Sequence, residues 1–208
     1  MRVSLVWATP SGDELIAYMA RVSNPFNQNN TETAPKLIKY LKDNNHWSPF
    51  EMVNMCVEIN TTRDIARQIL RHRSFSFQEF SQRYAEVDAP IERGEARMQD
   101  VTNRQNSIES TDVVLKSWWQ AMQQRVADDA EYVYRTALSK GIAKEVARKV
   151  LPEGLTPTRM YMSGNLRSWL HYVDIRCDKA TQKEHREIAE QCKALLVTHF
   201  PSTFKDYA

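Results

Sequence analysis

Residues 63–83 contain five arginines that could bind an anion: Arg63, Arg67, Arg71, Arg73 and Arg83. Two acidic residues, Asp64 and Glu79, lie in the same segment. Guanidinium groups form forked hydrogen bonds with phosphates and carboxylates, and they remain protonated at neutral pH. The segment therefore predicts a local binding site for an anionic ligand.

The charge balance of the whole chain limits the kind of anion. The chain has 28 Lys and Arg residues against 26 Asp and Glu residues, which gives a net charge of +2. A protein that coats a long polyanion carries a larger positive excess. The chain also lacks both glycine-rich nucleotide loops, G-x-G-x-x-G and G-x-x-x-x-G-K. We therefore expect a small phosphorylated ligand that is held by arginine side chains.

The Arg-His-Arg run at 71–73 has two interpretations. Three cationic groups at the end of a helix interact favourably with its exposed carbonyl groups, which is a purely structural role. The run is, however, followed by seven residues and then by Ser81, Arg83 and Tyr84, with Glu79 as the nearby carboxylate. A structural helix end needs no such set of hydroxyl, guanidinium and aromatic groups, so this arrangement favours a binding site.

The cysteines and histidines exclude several other kinds of site. Cys56, Cys177 and Cys192 are odd in number and have no C-x-x-C spacing, so they predict neither a disulfide framework nor a zinc site. The histidines form no H-E-x-x-H motif, and we expect no metal. The chain has no signal-peptide pattern at its start and no apolar run of ~18 residues. We expect a cytoplasmic protein with reduced thiols and no membrane contact.

Hydrophobic periodicity predicts one α+β domain over residues 1–208. Its sheet, antiparallel or mixed, is expected from the N-terminal half, and the second half is expected to be helical. The predicted strands are 2–9 and 53–60, with 74–84 as a strand or an extended loop. The predicted helices are 13–22, 61–72, 112–140, 142–151, 164–176 and 180–200. We expect residues 85–109 to be irregular.

The helix predicted at 164–176 separates an apolar face from a polar one. Leu166, Leu170 and Val173 form an apolar stripe. Arg167 and His171 are one turn apart on the opposite side, because residues four positions apart lie on the same face of a helix. Both side chains can therefore face a ligand while the apolar stripe packs against the protein.

The helix predicted at 112–140 is long and amphipathic. We expect Gly141 to end it, since glycine readily adopts the left-handed conformation that terminates helices. Its apolar stripe consists of Leu115, Trp118, Met122, Val126, Val133 and Ala137.

Taken together, the motifs resemble the flavin-dependent thymidylate synthases, an FAD enzyme family unrelated to the thymidylate synthases that use a cysteine nucleophile. The signature of the family is RHR, seven residues and Ser, which matches Arg71 to Ser81. The resemblance covers nearly the whole chain, although Gln78 stands where many members have Asn. The other matching motifs, in family order, are ARVS at 20–23, HWSPFE at 46–51, ARQILRHR at 66–73, EVARKVLP at 145–152 and GNLRSWLHYVDIR at 164–176.

The resemblance implies two sets of binding residues, with flavin sites built at the subunit interfaces of a homotetramer. The implied FAD contacts are Ser48, Arg71, His72, Arg73, Glu79, Asn165, Arg167 and His171. The implied contacts to deoxyuridine monophosphate (dUMP) are Gln68, Arg71, Glu79, Ser81, Gln82, Arg83, Arg148 and Arg176. Arg176 matches the residue proposed to activate the pyrimidine, and His46 matches a histidine linked to folate handling.

The implied reaction is the reductive methylation of dUMP to dTMP. In this family 5,10-methylenetetrahydrofolate donates the carbon and NADPH reduces the flavin. An alternative function is a single-stranded nucleic-acid binding module that uses residues 63–84. In that case Phe75, Phe77, Phe80 and Tyr84 would stack on bases beside the arginines. The near-neutral charge of the chain weighs against the alternative.

Overall fold

Six strands form two sheets in the computed structural model, which describes residues 1–207. The strands are β1 (Arg2–Ala8), β2 (Asn54–Thr62), β3 (Ser76–Glu79), β4 (Arg97–Gln99), β5 (Ser107–Glu109) and β6 (Pro157–Asn165). The main sheet has the order β1-β2-β6-β3, and every neighbouring pair is antiparallel. Strands β4 and β5 form a separate hairpin within 85–109, the segment that we expected to be irregular.

The helices confirm the predicted segments and add one. They are α1 (Gly12–Ala20), α2 (Ala34–Asp43), α3 (Arg63–Ile69), α4 (Val113–Ser139), α5 (Lys144–Ala147), α6 (Leu166–Arg176) and α7 (Lys183–His199). Short 3-10 helices occur at Pro25–Asn27, Ser48–Met52, Arg148–Val150 and Lys205–Tyr207. Helix α2 was not predicted, although its buried Ile38 and Leu41 have helical spacing. No helix within residues 1–207 is long and apolar enough to cross a membrane.

Strand β6 corrects the expectation that the sheet comes from the N-terminal half alone. It lies between β2 and β3, and it pairs with β2 along its whole length. Its buried residues Thr158, Met160 and Met162 alternate, as they should in a strand that is covered on one face. Two of these three are methionines, which lack the β-branched or aromatic side chains that indicate a strand in a sequence. The prediction of an α+β fold is confirmed.

The hydrophobic core joins the sheet to α6 and α7. Trp169 of α6 is fully buried and donates its indole N–H to the carbonyl oxygen of Met55 at 3.2 Å. The ring of Phe75 packs edge-on against Trp169, with 4.8 Å between centroids. A Cβ atom at Gly164 would overlap the Phe75 ring, so glycine is needed at the end of β6. This packing fixes the chain just after the Arg-His-Arg run against the start of α6.

Helix α4 is present as predicted, but three residues of its apolar stripe, Trp118, Val126 and Val133, are exposed. Trp118 is 55% exposed and Val126 is 52% exposed. The buried side of the helix carries Gln123, Ala127 and Tyr134 instead. The helix ends before Gly141, whose φ of 82° confirms the predicted stop.

Candidate active site

A cleft of about 710 Å³ opens where β6 leads into α6. Asn165 begins the helix, and its side-chain oxygen accepts a hydrogen bond from the Ser168 N–H at 2.9 Å. Arg167 and His171 are exposed and line the cleft, whereas the apolar stripe of the helix is buried. The prediction that these two side chains lie opposite the packed face is confirmed.

The opposite wall of this cleft comes from the segment around the Ser48–Met52 helix. Trp47 and Glu51 line the cleft, and the Glu51 carboxylate accepts a hydrogen bond from Arg167 Nη1 at 2.6 Å. Ser48 is exposed between them but does not line the cleft. An indole beside guanidinium and imidazole groups offers both an apolar surface for a flat ring and donors for phosphate oxygens.

A second cavity, of about 260 Å³, lies between α3 and the Arg148–Val150 3-10 helix. Five of its lining side chains can donate hydrogen bonds to an anion, and four of these carry a positive charge. These five are Arg63, Arg67, Gln82, Arg148 and Lys149. Two of the guanidinium groups are paired, Arg63 with Glu79 at 3.2 Å and Arg67 with Glu153 at 3.1 Å.

Gln82 and Arg148 have unused hydrogen-bonding capacity in this cavity. Gln82 is 4% exposed, and its Nε2 atom has no hydrogen-bond partner among residues 1–207. Arg148 is half-buried, and within the same residues its guanidinium makes neither a hydrogen bond nor an ion pair. A buried amide without a partner costs ~1–3 kcal/mol, which a ligand oxygen would recover. The cavity therefore fits a phosphate or another oxygen-rich anion.

Glu79, Ser81 and Arg83, which lie close to Gln82 in the sequence, do not line this cavity. Glu79 accepts hydrogen bonds from Arg63 and, at 2.9 Å, from the Thr158 hydroxyl. Arg83 is exposed and pairs with Glu145 at 3.1 Å. The Ser81 hydroxyl accepts a long bond of 3.4 Å from the backbone N–H of Arg83. Neither Ser81 nor Arg83 lines the 260 Å³ cavity.

A third cluster of candidate site residues, which contains His72, Tyr172 and Arg176, lies where the end of α3 meets α6. Arg176 donates its Nε–H to His72 Nε2 at 2.9 Å, and His72 packs edge-on against the Tyr172 ring at 5.0 Å. Burial, reinforced by the charge of Arg176, lowers the pKa of His72 to about 4. Arg71 and Arg73 are exposed and make no side-chain hydrogen bond within residues 1–207. The run thus combines one inward imidazole with two outward guanidinium groups.

The aromatic residues of 63–84 do not form the stacking surface that a nucleic-acid module needs. Phe75 is 8% exposed and packs against Trp169 and Tyr172. Phe77 and Phe80 are half-buried, and Tyr84 is the exposed aromatic of the four. One exposed ring of the four does not provide the row of stacking surfaces that the alternative function needs, so this structural support for it is lost.

Three residues that shape the site were missed by the sequence reasoning. Glu51 orients Arg167, while Tyr172 and His185 form a buried polar pair behind His72. Glu51 stands in the HWSPFE motif, and its carboxylate beside an arginine-rich site was a usable signal. Tyr172 and His185 had no comparable signal, because a polar residue on a helix gives no sign of the partner that it meets.

Comparisons with known proteins decide the family. The model of the thymidylate synthase complementing protein family matches residues 4–202. A flavin-dependent thymidylate synthase from Synechocystis sp. is 53% identical over 192 residues, which cover 92% of this chain and 87% of the relative. The chain belongs to the flavin-dependent thymidylate synthase family. The resemblance inferred from the RHR motif is thereby confirmed.

Two further relatives of this flavin-dependent thymidylate synthase family member extend the match. A probable flavin-dependent thymidylate synthase from Paramecium bursaria Chlorella virus 1 is 49% identical over 195 residues, covering 94% of this chain and 90% of the relative. The crystal structure of the UMP/dUMP methylase PolB from Streptomyces cacaoi, bound with 5-Br dUMP, superposes with a TM-score of 0.88. The two sequences are 29% identical, and the match covers 99% of this chain and 93% of the PolB chain.

Proposed function

We propose that the protein is an FAD-dependent thymidylate synthase that converts dUMP to dTMP. In this reaction 5,10-methylenetetrahydrofolate donates the carbon, and NADPH supplies the electrons that reduce it to a methyl group. The observation that carries the proposal is the cavity in which buried Gln82 and half-buried Arg148 lack partners, in a chain of this family. The 5-Br dUMP bound to PolB supports a uridine nucleotide as the ligand.

The proposed dUMP site combines charged and neutral donors. Arg148 and the Gln82 amide are suited to phosphate or sugar oxygens, because each has a donor that no residue of 1–207 uses. Arg83 would have to leave Glu145 to reach the nucleotide, an exchange that exposed ion pairs allow at little cost. The full proposed set is Gln68, Arg71, Glu79, Ser81, Gln82, Arg83, Arg148 and Arg176.

The residues of the 710 Å³ cleft fit part of an FAD molecule. The chain has no glycine-rich loop for a pyrophosphate, so guanidinium and imidazole groups must serve instead. Arg167 and His171 provide such groups beside Trp47. The proposed FAD set is Ser48, Arg71, His72, Arg73, Glu79, Asn165, Arg167 and His171. FAD, when bound, supplies the hydride chemistry of the reaction.

The contribution of the chain itself is to orient and polarise the pyrimidine. Arg176 cannot act as a base at neutral pH, because a guanidinium stays protonated. Its role is to stabilise negative charge on N3 and the neighbouring carbonyl oxygens of uracil. His72 Nε2 accepts a hydrogen bond from Arg176 Nε at 2.9 Å, so the two terminal nitrogens of Arg176 remain free to face the uracil ring. Such a preorganised donor pair stabilises the charged transition state without rearrangement.

A homotetramer is the proposed assembly, and helix α4 supports it. The stripe containing Trp118, Val126 and Val133 is exposed in the single chain. A large apolar face of this kind is typical of a surface that another subunit covers.

The cytoplasm is the proposed location, since the thiols of Cys56, Cys177 and Cys192 are free.

A purified sample tests the proposal directly. We expect a yellow protein that contains FAD and forms dTMP only when dUMP, the folate donor and NADPH are all present. Replacing Lys39, an exposed residue paired with Asp43, provides a control that keeps the activity. A colourless protein that binds oligonucleotides with a steep salt dependence would instead establish the nucleic-acid module.

A further inference from the structure

A chain of hydrogen bonds connects a buried tyrosine to Gln68, one of the residues proposed to bind dUMP. His185 of α7 is fully buried, and both of its ring nitrogens have partners. Nε2 lies 3.2 Å from the Tyr172 hydroxyl, and Nδ1 lies 3.3 Å from Oε1 of Gln68. The Gln68 Nε2 atom in turn donates to Gln182 Oε1 at 2.7 Å. Gln68 is half-buried, so the chain of bonds reaches the protein surface at this residue.

Glu184 sets the direction of every bond in the chain. Gln182 Nε2 lies 3.0 Å from Glu184 Oε2, and an ionised carboxylate only accepts hydrogen bonds. Gln182 must therefore direct its NH₂ to Glu184 and its oxygen to the NH₂ of Gln68. The Gln68 oxygen then faces His185 Nδ1, which must carry the proton, and Nε2 accepts from Tyr172. Arg97 pairs with Glu184 at 2.5 Å, and this ion pair keeps the carboxylate ionised.

The environment of His185 keeps the ring neutral. Burial is the main cause and the charge of Arg176 the next, with His72 and Arg71 adding smaller effects, and together they lower the pKa of His185 to about 3. Burial also raises the pKa of Tyr172 well above its usual value, so the phenol keeps its proton. A neutral imidazole has one donor and one acceptor, which are the two roles that its partners require.

We propose that His185 is a positioning residue for nucleotide binding, which acts by fixing the side-chain amide of Gln68. This inference rests on the proposed function. The amide oxygen is held by His185, and one of the two Nε2 hydrogens is used by Gln182. The second hydrogen is thus always presented as a donor, suited to a carbonyl or phosphate oxygen of dUMP. Without His185 the amide is held only by its bond to Gln182, so it can turn about that bond and no longer present the free Nε2 hydrogen to the nucleotide.

Two substitutions at the same position separate this role from packing. An asparagine amide nitrogen takes the place of histidine Nδ1, so His185→Asn keeps the donor to Gln68. A glutamine amide takes the place of Nε2, so His185→Gln keeps the partner of Tyr172 and loses the donor. We expect His185→Gln to weaken dUMP binding about tenfold, the effect of one hydrogen bond, and His185→Asn to stay within about threefold of the original protein.

The measurement is titration of the FAD-loaded protein with dUMP, together with KM and kcat. We expect KM to rise in His185→Gln while the FAD content and the kcat at saturating dUMP are retained. His199→Gln makes the same substitution at the exposed end of α7 and serves as the control. Combining His185→Gln with Gln68→Ala should add no further loss beyond Gln68→Ala alone, since the two residues act as one unit.

Each outcome decides the inference. Equal losses in both His185 variants, or additive losses in the double variant, would establish a packing role and overturn it. An unchanged dUMP affinity in His185→Gln would do the same while leaving the proposed function intact. Failure of the unsubstituted protein to bind dUMP would overturn both. If His185→Gln does not fold, NMR of ¹⁵N-labelled histidines in the unsubstituted protein decides: a proton on Nδ1 of His185 supports the inference, and a proton on Nε2 contradicts it.

Discussion

Arg176 and His72 lie 104 residues apart in the sequence, and they are joined by a hydrogen bond of 2.9 Å from the guanidinium Nε to the imidazole Nε2. The bond requires a neutral ring, because a protonated imidazole has no acceptor. The lowered pKa of His72, about 4, ensures this at neutral pH. His72 thereby fixes the orientation of Arg176 and leaves its planar pair of terminal nitrogens for a ligand.

Replacing Arg176 should slow the chemical step as well as weaken binding. We expect Arg176→Ala to raise the barrier by ~2.7–4 kcal/mol if Arg176 acts like an oxyanion-hole donor, since its interaction strengthens as charge develops. Arg176→Lys should recover only part of this loss, because an ammonium lacks the planar fork. The measurement is single-turnover oxidation of prereduced flavin at saturating dUMP and folate. An unchanged rate in Arg176→Ala would leave Arg176 with only a structural role at the end of α6.

Arg148 should bind the nucleotide through a charge that no other residue of 1–207 neutralises. Removing one charge-assisted contact costs ~1.5–3 kcal/mol, so Arg148→Ala should weaken dUMP binding roughly ten- to a hundredfold. Arg148→Lys should retain part of the affinity. Calorimetric titration with dUMP gives both values, and Lys39→Ala is the control at an exposed pair distant in sequence. A similar affinity in Arg148→Ala would remove the 260 Å³ cavity from the nucleotide site.

Arg83 should exchange its partner when dUMP binds. In the free chain it pairs with Glu145 at 3.1 Å, an exposed ion pair that contributes little to stability. We expect Arg83→Ala to weaken dUMP binding roughly ten- to a hundredfold, while FAD remains bound. Glu145→Gln releases Arg83 and should not weaken dUMP binding. Loss of FAD in Arg83→Ala would show that the division between flavin and nucleotide residues is wrong.

Acid should destabilise the protein through His185. Its pKa is about 3 in the folded chain, against an ordinary value of 6.5. Between these two values the unfolded chain binds a proton that the folded chain does not, so the free energy of unfolding falls as the pH falls. One such proton contributes at most about 1.4 kcal/mol per pH unit. We expect His185→Asn to reduce the dependence of the free energy of unfolding on pH, measured by urea unfolding at a series of pH values. The same pH dependence in the variant and the original protein would contradict a neutral buried ring.

None of the cysteines should act as a nucleophile. Burial raises the pKa of Cys56, Cys177 and Cys192, so their reactive thiolate forms are disfavoured at neutral pH. We expect the triple alanine variant to turn over within about tenfold of the original protein, with the loss due to packing at the two buried positions, Cys56 and Cys192. Abolished dTMP formation with FAD still bound would contradict this prediction.

Local sequence determined the chemistry of the site and the faces of its helices. The types and spacing of Arg71, His72, Arg73 and Ser81 predicted an anion site and indicated the family, and the comparisons confirm the family. The separation of Arg167 and His171 from the apolar stripe of α6 followed from helical periodicity. The inference about α6 holds because it depends only on neighbours within a few positions, which the backbone geometry of a helix fixes.

Tertiary structure decided which of these groups are free to act. It placed β6 inside the sheet, bound Arg167 to Glu51 and Arg176 to His72, and left half of the apolar stripe of α4 exposed. The tertiary structure also buried the Gln82 amide without giving its Nε2 atom a hydrogen-bond partner within residues 1–207. Burial and hydrogen-bond pairing depend on side chains that are more than a hundred residues apart, as in the Arg167–Glu51 and Arg176–His72 pairs. Local periodicity and propensity carry no information about such contacts, because they arise only when the whole chain has packed.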